Sequence, residues 1–125
     1  MARAKTPHLT EGELRLMNIL WRQGPATVSQ VVDALPADPP VAYSTVLTLL
    51  RILENKGYVR HTKQGRAFVY QALVGSKEAS TKAIRHLVSR FFGGSTGQLV
   101  MKLLDERQID AAELKRIKKK ISESE

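Results

Sequence analysis

The spacing of apolar residues predicts a mainly α fold with the element order ααα–ββ–ααα, a first domain over residues 1–75 and a helical region over residues 76–125. Three observations carry this. Apolar residues recur at helical intervals, and several of these stretches open with a Ser, Thr or Asp followed three residues later by Glu or Gln. Two short runs of aromatic and β-branched residues flank a turn containing Gly65. Gly24-Pro25, Pro36 to Pro40, Gly57 and Gly93-Gly94 punctuate the chain between elements.

The first helix opens at Thr10. Its hydroxyl is spaced to accept from the N–H of Glu13, whose carboxylate reaches back, while Leu9 and Leu14 stand where a hydrophobic staple needs them. Leu14, Met17, Ile19, Leu20 and Trp21 supply the apolar face until Gly24-Pro25 ends it. A second box, Thr27 to Gln30, opens a short helix that buries Val28, Val31, Val32 and Leu35. The segment Pro36-Ala37-Asp38-Pro39-Pro40 is excluded from helix, because its prolines remove donors and fix φ. A third helix runs from about Tyr43 to Lys56 and stops at Gly57. Val46, Leu49, Leu50 and Leu53 fall on one side of it, and Ser44, Leu47, Thr48, Arg51 and Asn55 on the other.

Tyr58 to His61 and Ala67 to Gln71 form a hairpin around Thr62-Lys63-Gln64-Gly65-Arg66. Helical spacing returns at Ser76, with Ile84, Leu87, Val88 and Phe91 as its stripe. Gly93-Gly94 breaks this helix, and a third box, Ser95 to Gln98, precedes Leu99, Val100, Leu103 and Leu104. Asp110 to Glu113 opens the last helix, with Ile109 and Leu114 as its staple and Ile117 and Ile121 continuing the stripe.

The net charge is +8, which favours a polyanionic partner. Residues 1–75 hold nine Lys and Arg against five Asp and Glu, and residues 76–125 hold eleven against seven, so each part is +4. The basicity is therefore no property of a tail. Absence of cysteine excludes disulfides, thiolate metal sites and thiol catalysis, and it fits a reducing cytoplasm. His8, His61 and His86 are too scattered to form a ligand set and read as bystanders, so no metal or cofactor is expected. No apolar run approaches the roughly eighteen residues of a membrane span. Met1 to Pro7 lacks the apolar stretch of a secretory signal, and a cytoplasmic location is expected. No Gly-rich phosphate loop, nucleophile–base pair or carboxylate cluster points to an enzyme, and no catalytic residue is assigned.

Three helices followed by a hairpin is the layout of a winged helix-turn-helix, whose third helix enters the major groove of DNA while the hairpin follows the backbone or minor groove. The candidate DNA-binding residues are Tyr43, Ser44, Thr45, Leu47, Thr48 and Arg51 on the third helix, with Lys63 and Arg66 around Gly65 in the wing. Ser44 and Thr48 are small hydroxyl residues able to bond bases or phosphates. Leu47 reads either as an ordinary exposed leucine or as a contact for thymine methyl groups. Arg51 reads as a clamp on phosphate or guanine, or as a solvated arginine near Asn55. Tyr43 either bonds a phosphate or covers the start of its helix. Lys63 and Arg66 make either a solvated turn or phosphate contacts, and Arg60 and His61 lie nearer the strand body.

Leu20-Trp21, Thr45-Val46-Leu47-Thr48-Leu49-Leu50, Lys56-Gly57-Tyr58-Val59, Gly65-Arg66-Ala67-Phe68-Val69-Tyr70 and Phe92-Gly93-Gly94 stand in an ordered set. In that order and at those distances they resemble the penicillinase-repressor family, from about Leu9 to Ile121. The resemblance implies a homodimeric repressor on a palindromic promoter operator, paired through its C-terminal helices. In the β-lactam-responsive branch, repression is relieved by proteolysis downstream of a membrane-bound sensor protease. In the copper-responsive branch, it is relieved through a cysteine-rich motif, which this chain lacks. The β-lactam branch is cut at an Asn-Phe bond; the matching positions here are Lys102 and Leu103, so cleavage here requires a protease of different preference. Ile52 stands where the family often has arginine, which removes one phosphate or base contact.

A dimer is also expected without the resemblance. Fifty residues in three helices with one apolar stripe each bury too little area to stand alone. The residues expected at a dimer interface are Ile84, Leu87, Val88, Phe91, Leu99, Val100, Leu103, Leu104, Leu114, Ile117 and Ile121. The competing arrangement packs these stripes back onto the winged helix of the same chain. Lys115-Arg116 and Lys118 to Lys120 read as a solvated face that complements the last helix dipole. A different class of function, a winged-helix module that docks proteins without sequence-specific DNA binding, remains open at this stage.

Overall fold

The computed structural model describes residues 9–106 and 109–124; His8 and the Met1 to Pro7 stretch lie outside them. By its internal contacts the chain divides into two compact units, Met1–Ala83 and Ile84–Glu125. The first unit holds α1 (Glu11–Gln23), β1 (Ala26–Thr27), α2 (Val28–Ala34), α3 (Tyr43–Asn55), β2 (Val59–Gln64) and β3 (Ala67–Ala72). Helix α4 (Ser76–Phe91) begins in it and crosses into the second unit, which also holds α5 (Thr96–Asp105) and α6 (Ala111–Ser124). The mainly α winged-helix class expected from the apolar spacing is the one observed.

Local chemistry sets the helix starts. Thr10 Oγ1 accepts from the Glu13 N–H at 3.2 Å, and Glu13 Oε1 accepts from the Thr10 N–H at 3.0 Å. Thr27 and Gln30 repeat the exchange at 3.1 and 2.8 Å. Each box satisfies two amide donors that a helix start otherwise leaves open. Helix α3 ends in a Schellman turn: the Gly57 N–H donates to Glu54 O at 3.0 Å and the Tyr58 N–H to Leu53 O at 2.9 Å. Gly57 has φ +87°, a conformation that penalises any side chain, and this turn aims the chain from α3 into the wing.

The three strands form one antiparallel sheet in the order β1-β3-β2. Ala26 pairs with Tyr70 and Thr27 with Val69, so β1 ties the loop between α1 and α2 to the base of the wing. Strand β2 runs on to Gln64, which pairs with Ala67, so only Gly65 and Arg66 form the loop. Gly65 supplies φ +62° there, as a two-residue hairpin turn demands. The hairpin is therefore longer, and its turn tighter, than the residue pattern suggested.

The core of this unit sits between α1, α2, α3 and the sheet. Leu16, Met17, Val31, Val46, Leu50, Leu53, Val59 and Tyr70 are its largest fully buried side chains. Burial of each aliphatic member stabilises by roughly 1.5–3 kcal/mol. Leu16 takes the place expected of Leu14, which is exposed. Leu49, Val32 and Leu35 are half-buried at the edge of this core, as are Leu9 and Trp21. The Trp21 indole N–H donates to Val74 O at 2.8 Å and fastens α1 to the strand exit.

In the second unit, Phe92 and Gly94 N–H groups both donate to Val88 O at 3.0 Å and close the end of α4. Ser95 Oγ caps α5 through the Gln98 N–H at 3.2 Å, and Asp110 Oδ1 caps α6 through the Glu113 N–H at 2.8 Å. Val88 is buried, whereas no residue of α5 or α6 is.

Candidate nucleic-acid interface

Helix α3 is positioned by its apolar side. Val46, Leu50 and Leu53 are wholly buried, which fixes the rotation of the helix and turns Ser44, Thr45, Thr48 and Arg51 to solvent. Its N-cap is Ala42, whose side chain has no capping atom and makes no cap hydrogen bond to the first-turn amides. Such a start suits an anion. Tyr43, 54% exposed, stands at this end.

The hydroxyl of Thr48 donates to Ser44 O at 2.9 Å. Its hydrogen is thereby occupied, while the residue itself is exposed. That leaves Thr48 equipped to accept from a base amino group or to touch a thymine methyl. Leu47, one residue back, is not a free surface leucine. It is half-buried, packed on the core with part of its side chain uncovered. Ile52 is also exposed on α3, where it offers no charge to a phosphate.

The wing brings its own cations alongside. Arg66 lies in the two-residue turn, and Lys63 sits within β2 opposite Phe68; both are exposed. Arg60 is exposed too, farther down β2. A cleft of about 290 Å³ separates α3 from the wing, lined by Tyr43, Leu47 and Arg51 on one side, Arg66, Ala67 and Phe68 on the other, and the start of α2. Thr45 and Lys63 are not among its lining residues.

Sequence reasoning missed the attachment between these two parts. Glu54, in the last turn of α3, meets the His61 imidazole of β2, whose ring also packs against Phe68 and Tyr70 with centroids 4.8 and 5.4 Å apart. Burial, and after it the Glu54 carboxylate, push the Tyr70 phenol above its ordinary pKa, so it stays protonated at the base of the wing. The only available signal was a carboxylate and a histidine seven residues apart across Gly57, too common a pattern to single out. Among the described residues no group of His, Asp and Glu is arranged to hold a metal ion.

Of the residues expected at a dimer interface, Ile84, Leu87, Phe91, Val100, Ile117 and Ile121 are exposed, and Leu99, Leu103, Leu104 and Leu114 are half-buried. Met101, overlooked in the apolar stripes, is 58% exposed beside Val100. Lys102 is exposed and paired with Glu106 at 2.7 Å.

A family model described as penicillinase repressor matches residues 9–123. The penicillinase repressor of Bacillus licheniformis is 26% identical over 110 residues, which is 88% of this chain and 86% of that protein. The methicillin resistance regulatory protein MecI of Staphylococcus aureus (strain N315) is 21% identical over 114 residues, 91% of this chain and 93% of that protein. Among solved structures, the solution structure of the DNA-binding domain of the repressor BlaI matches with a TM-score of 0.52 at 28% identity, covering 60% of this chain and 93% of that one.

Proposed function

The chain belongs to the penicillinase repressor family, and from that membership we propose that it represses transcription as a homodimer bound to a palindromic promoter operator. The observation that carries the reading is the exposed ridge of α3, Tyr43, Ser44, Thr45, Thr48 and Arg51, with Lys63 and Arg66 of the wing also exposed. In this reading α3 enters the major groove, where Thr48 and Leu47 meet base edges and Arg51 clamps a phosphate. Lys63 and Arg66 neutralise phosphates along the adjoining backbone. The family is one of repressors rather than enzymes, and we assign the chain no catalytic role.

Pairing is supported by α5 and α6, none of whose residues is fully buried within one chain. A two-fold partner that covers Leu99, Val100, Leu103, Ile117 and Ile121 places two reading helices one DNA turn, about 34 Å, or a multiple of it apart. Two weak half-site contacts then act as one strong one. Cutting or loosening the segment from Gly93 to Leu104 removes that advantage and relieves repression. A protease switched on by a membrane sensor, acting near Lys102 and Leu103, is the route the family suggests. The repressor itself works in the cytoplasm, and no helix among its described residues is long and apolar enough to cross a membrane.

The test is a mobility-shift titration against promoter fragments at several salt concentrations. A protein that neutralises several phosphates loses orders of magnitude in affinity between about 50 and 200 mM salt. Binding that ignores salt and sequence alike points instead to a module that docks proteins.

A further inference from the structure

Three features of the α3–wing cleft bear on what it holds. Its walls carry two aromatic rings left partly uncovered, Tyr43 at 54% and Phe68 at 42% exposure. Its floor includes Leu47, held in place by the core beneath it. Its lining includes two guanidinium groups, Arg51 and Arg66, and no carboxylate among the described residues. At about 290 Å³ it has room for one nucleotide, not for a peptide helix about 10 Å across.

We propose that this cleft seats a single thymidine nucleotide of the operator in each half-site, its 5-methyl group on Leu47, its sugar between Tyr43 and Phe68, and its phosphates held by Arg51 and Arg66. The inference rests on the DNA-binding reading given above and adds to it the identity of one base and the part played by the wing. The chemistry selects this occupant. A methyl group in the major groove distinguishes thymine from every other base, and an aliphatic side chain is its natural contact. Leu47 loses little conformational freedom on binding, because packing on the core already restricts it. The rings of Tyr43 and Phe68 offer flat apolar faces to a deoxyribose, while the arginines answer the charge on either side of it. An acidic peptide would satisfy the arginines but leave the floor and both rings without a partner of matching shape.

The experiment begins with a duplex selected from a random-sequence pool by the unmodified full-length protein. Each thymidine of that duplex is then replaced singly by deoxyuridine, which removes only the 5-methyl group. One position in each half-site should lose about fourfold in affinity, the worth of one buried methyl, and the others should change little. With Leu47→Ala that sensitivity should vanish. With Phe68→Ala, at an exposed position, thymidine and uridine duplexes should weaken together, leaving their ratio intact. Indifference of the unmodified protein to every uridine replacement overturns the proposal without recourse to any variant, although the DNA-binding reading stands. Persistence of the uridine penalty in a folded Leu47→Ala protein overturns it as well. Failure to select any duplex above background removes the parent reading, and the cleft assignment falls with it.

Discussion

Glu54 of α3 grips His61 of the wing with both carboxylate oxygens. Oε1 and Oε2 lie 2.8 and 2.9 Å from the imidazole Nδ1, and Oε2 also accepts from the His61 backbone N–H at 3.3 Å. His61, a bystander by its sequence surroundings, is thereby a link between α3 and the hairpin. The pair is about a third exposed, so its direct worth to folding is small, roughly 0–1 kcal/mol. Its consequence lies in geometry, since the pitch of the wing decides where Arg66 and Phe68 stand relative to Arg51. Glu54→Ala and His61→Ala should each weaken operator binding severalfold while leaving urea stability within about 1 kcal/mol. Because either change frees the same joint, the double variant should be no worse than the weaker-binding single one. Additive losses in a mobility-shift cycle would mean that the two residues act separately.

Thr48 and Lys63 should fail in different ways. Thr48 sits on the outward ridge with its hydroxyl hydrogen already used on Ser44 O, so what it offers DNA is an acceptor and a methyl, both sensitive to base identity. Thr48→Ala should cost about 1–3 kcal/mol on the best operator and much less on altered ones, flattening sequence preference. Lys63, a cation on β2, should weaken all sequences alike when changed to alanine and reduce the salt slope by about one. A reversed pattern across a panel of operator variants would exchange the groove assignments of helix and wing.

What the chain discloses before folding depends on how far apart the interacting atoms lie in sequence. The caps at Thr10 and Thr27 were legible because each is a reciprocal bond between residues three apart. The Gly57 stop was legible because positive φ selects glycine whatever surrounds it. The two-residue strand β1 was not: Ala26 and Thr27 have no periodicity, and they become a strand only because Tyr70 and Val69 arrive alongside. Leu14 and Leu16 are equally apolar, and which of them is buried depends on the tilt of α1 against α3, a tertiary matter. The candidate ridge on α3 could be listed residue by residue, but the half-burial of Leu47 and the cleft beside it exist only once the wing folds back along the helix.

Glu13 should make the DNA-binding unit acid-sensitive. It is 3% exposed, yet its carboxylate bonds Lys56 Nζ at 2.7 Å and accepts from the Thr10 N–H. Burial alone raises its pKa; the bonds from Lys56 and Thr10 outweigh that and hold it below the ordinary 4.5. A carboxyl depressed by folding contributes stability that is fully present above its unfolded pKa and is lost as pH falls through the lower folded value. Glu13→Gln keeps an acceptor for the cap but strands the Lys56 charge. It should cost about 2 kcal/mol at neutral pH, and the gap to the unmodified protein should close as the medium is acidified below the ordinary carboxylate range. Trp21, the lone tryptophan, reports the unfolding by fluorescence from its bond to Val74 O. A gap that holds constant with pH would show that ionisation of Glu13 is not linked to folding.

Removal of residues 95–125 separates folding from pairing. The core built from Leu16, Val31, Val46, Leu50 and Tyr70 lies wholly within the first unit, so the shortened chain should still unfold cooperatively. It loses α5 and α6, none of whose residues is fully buried, and should sediment as a monomer where the full chain sediments as a dimer. Operator affinity should then fall by a factor of about 10² to 10⁴, the range over which linking two modest contacts raises binding. Truncation also leaves Phe91, 71% exposed, near a new terminus where it invites aggregation. The full-length double change Ile117→Asp and Ile121→Asp avoids that end while placing two charges on the α6 stripe. Both proteins should bind half-site and full-site duplexes with nearly equal affinity, since a monomer gains nothing from a second half-site. Retention of the full-site preference by either one, at concentrations where sedimentation finds single chains, would detach repression from the C-terminal helices.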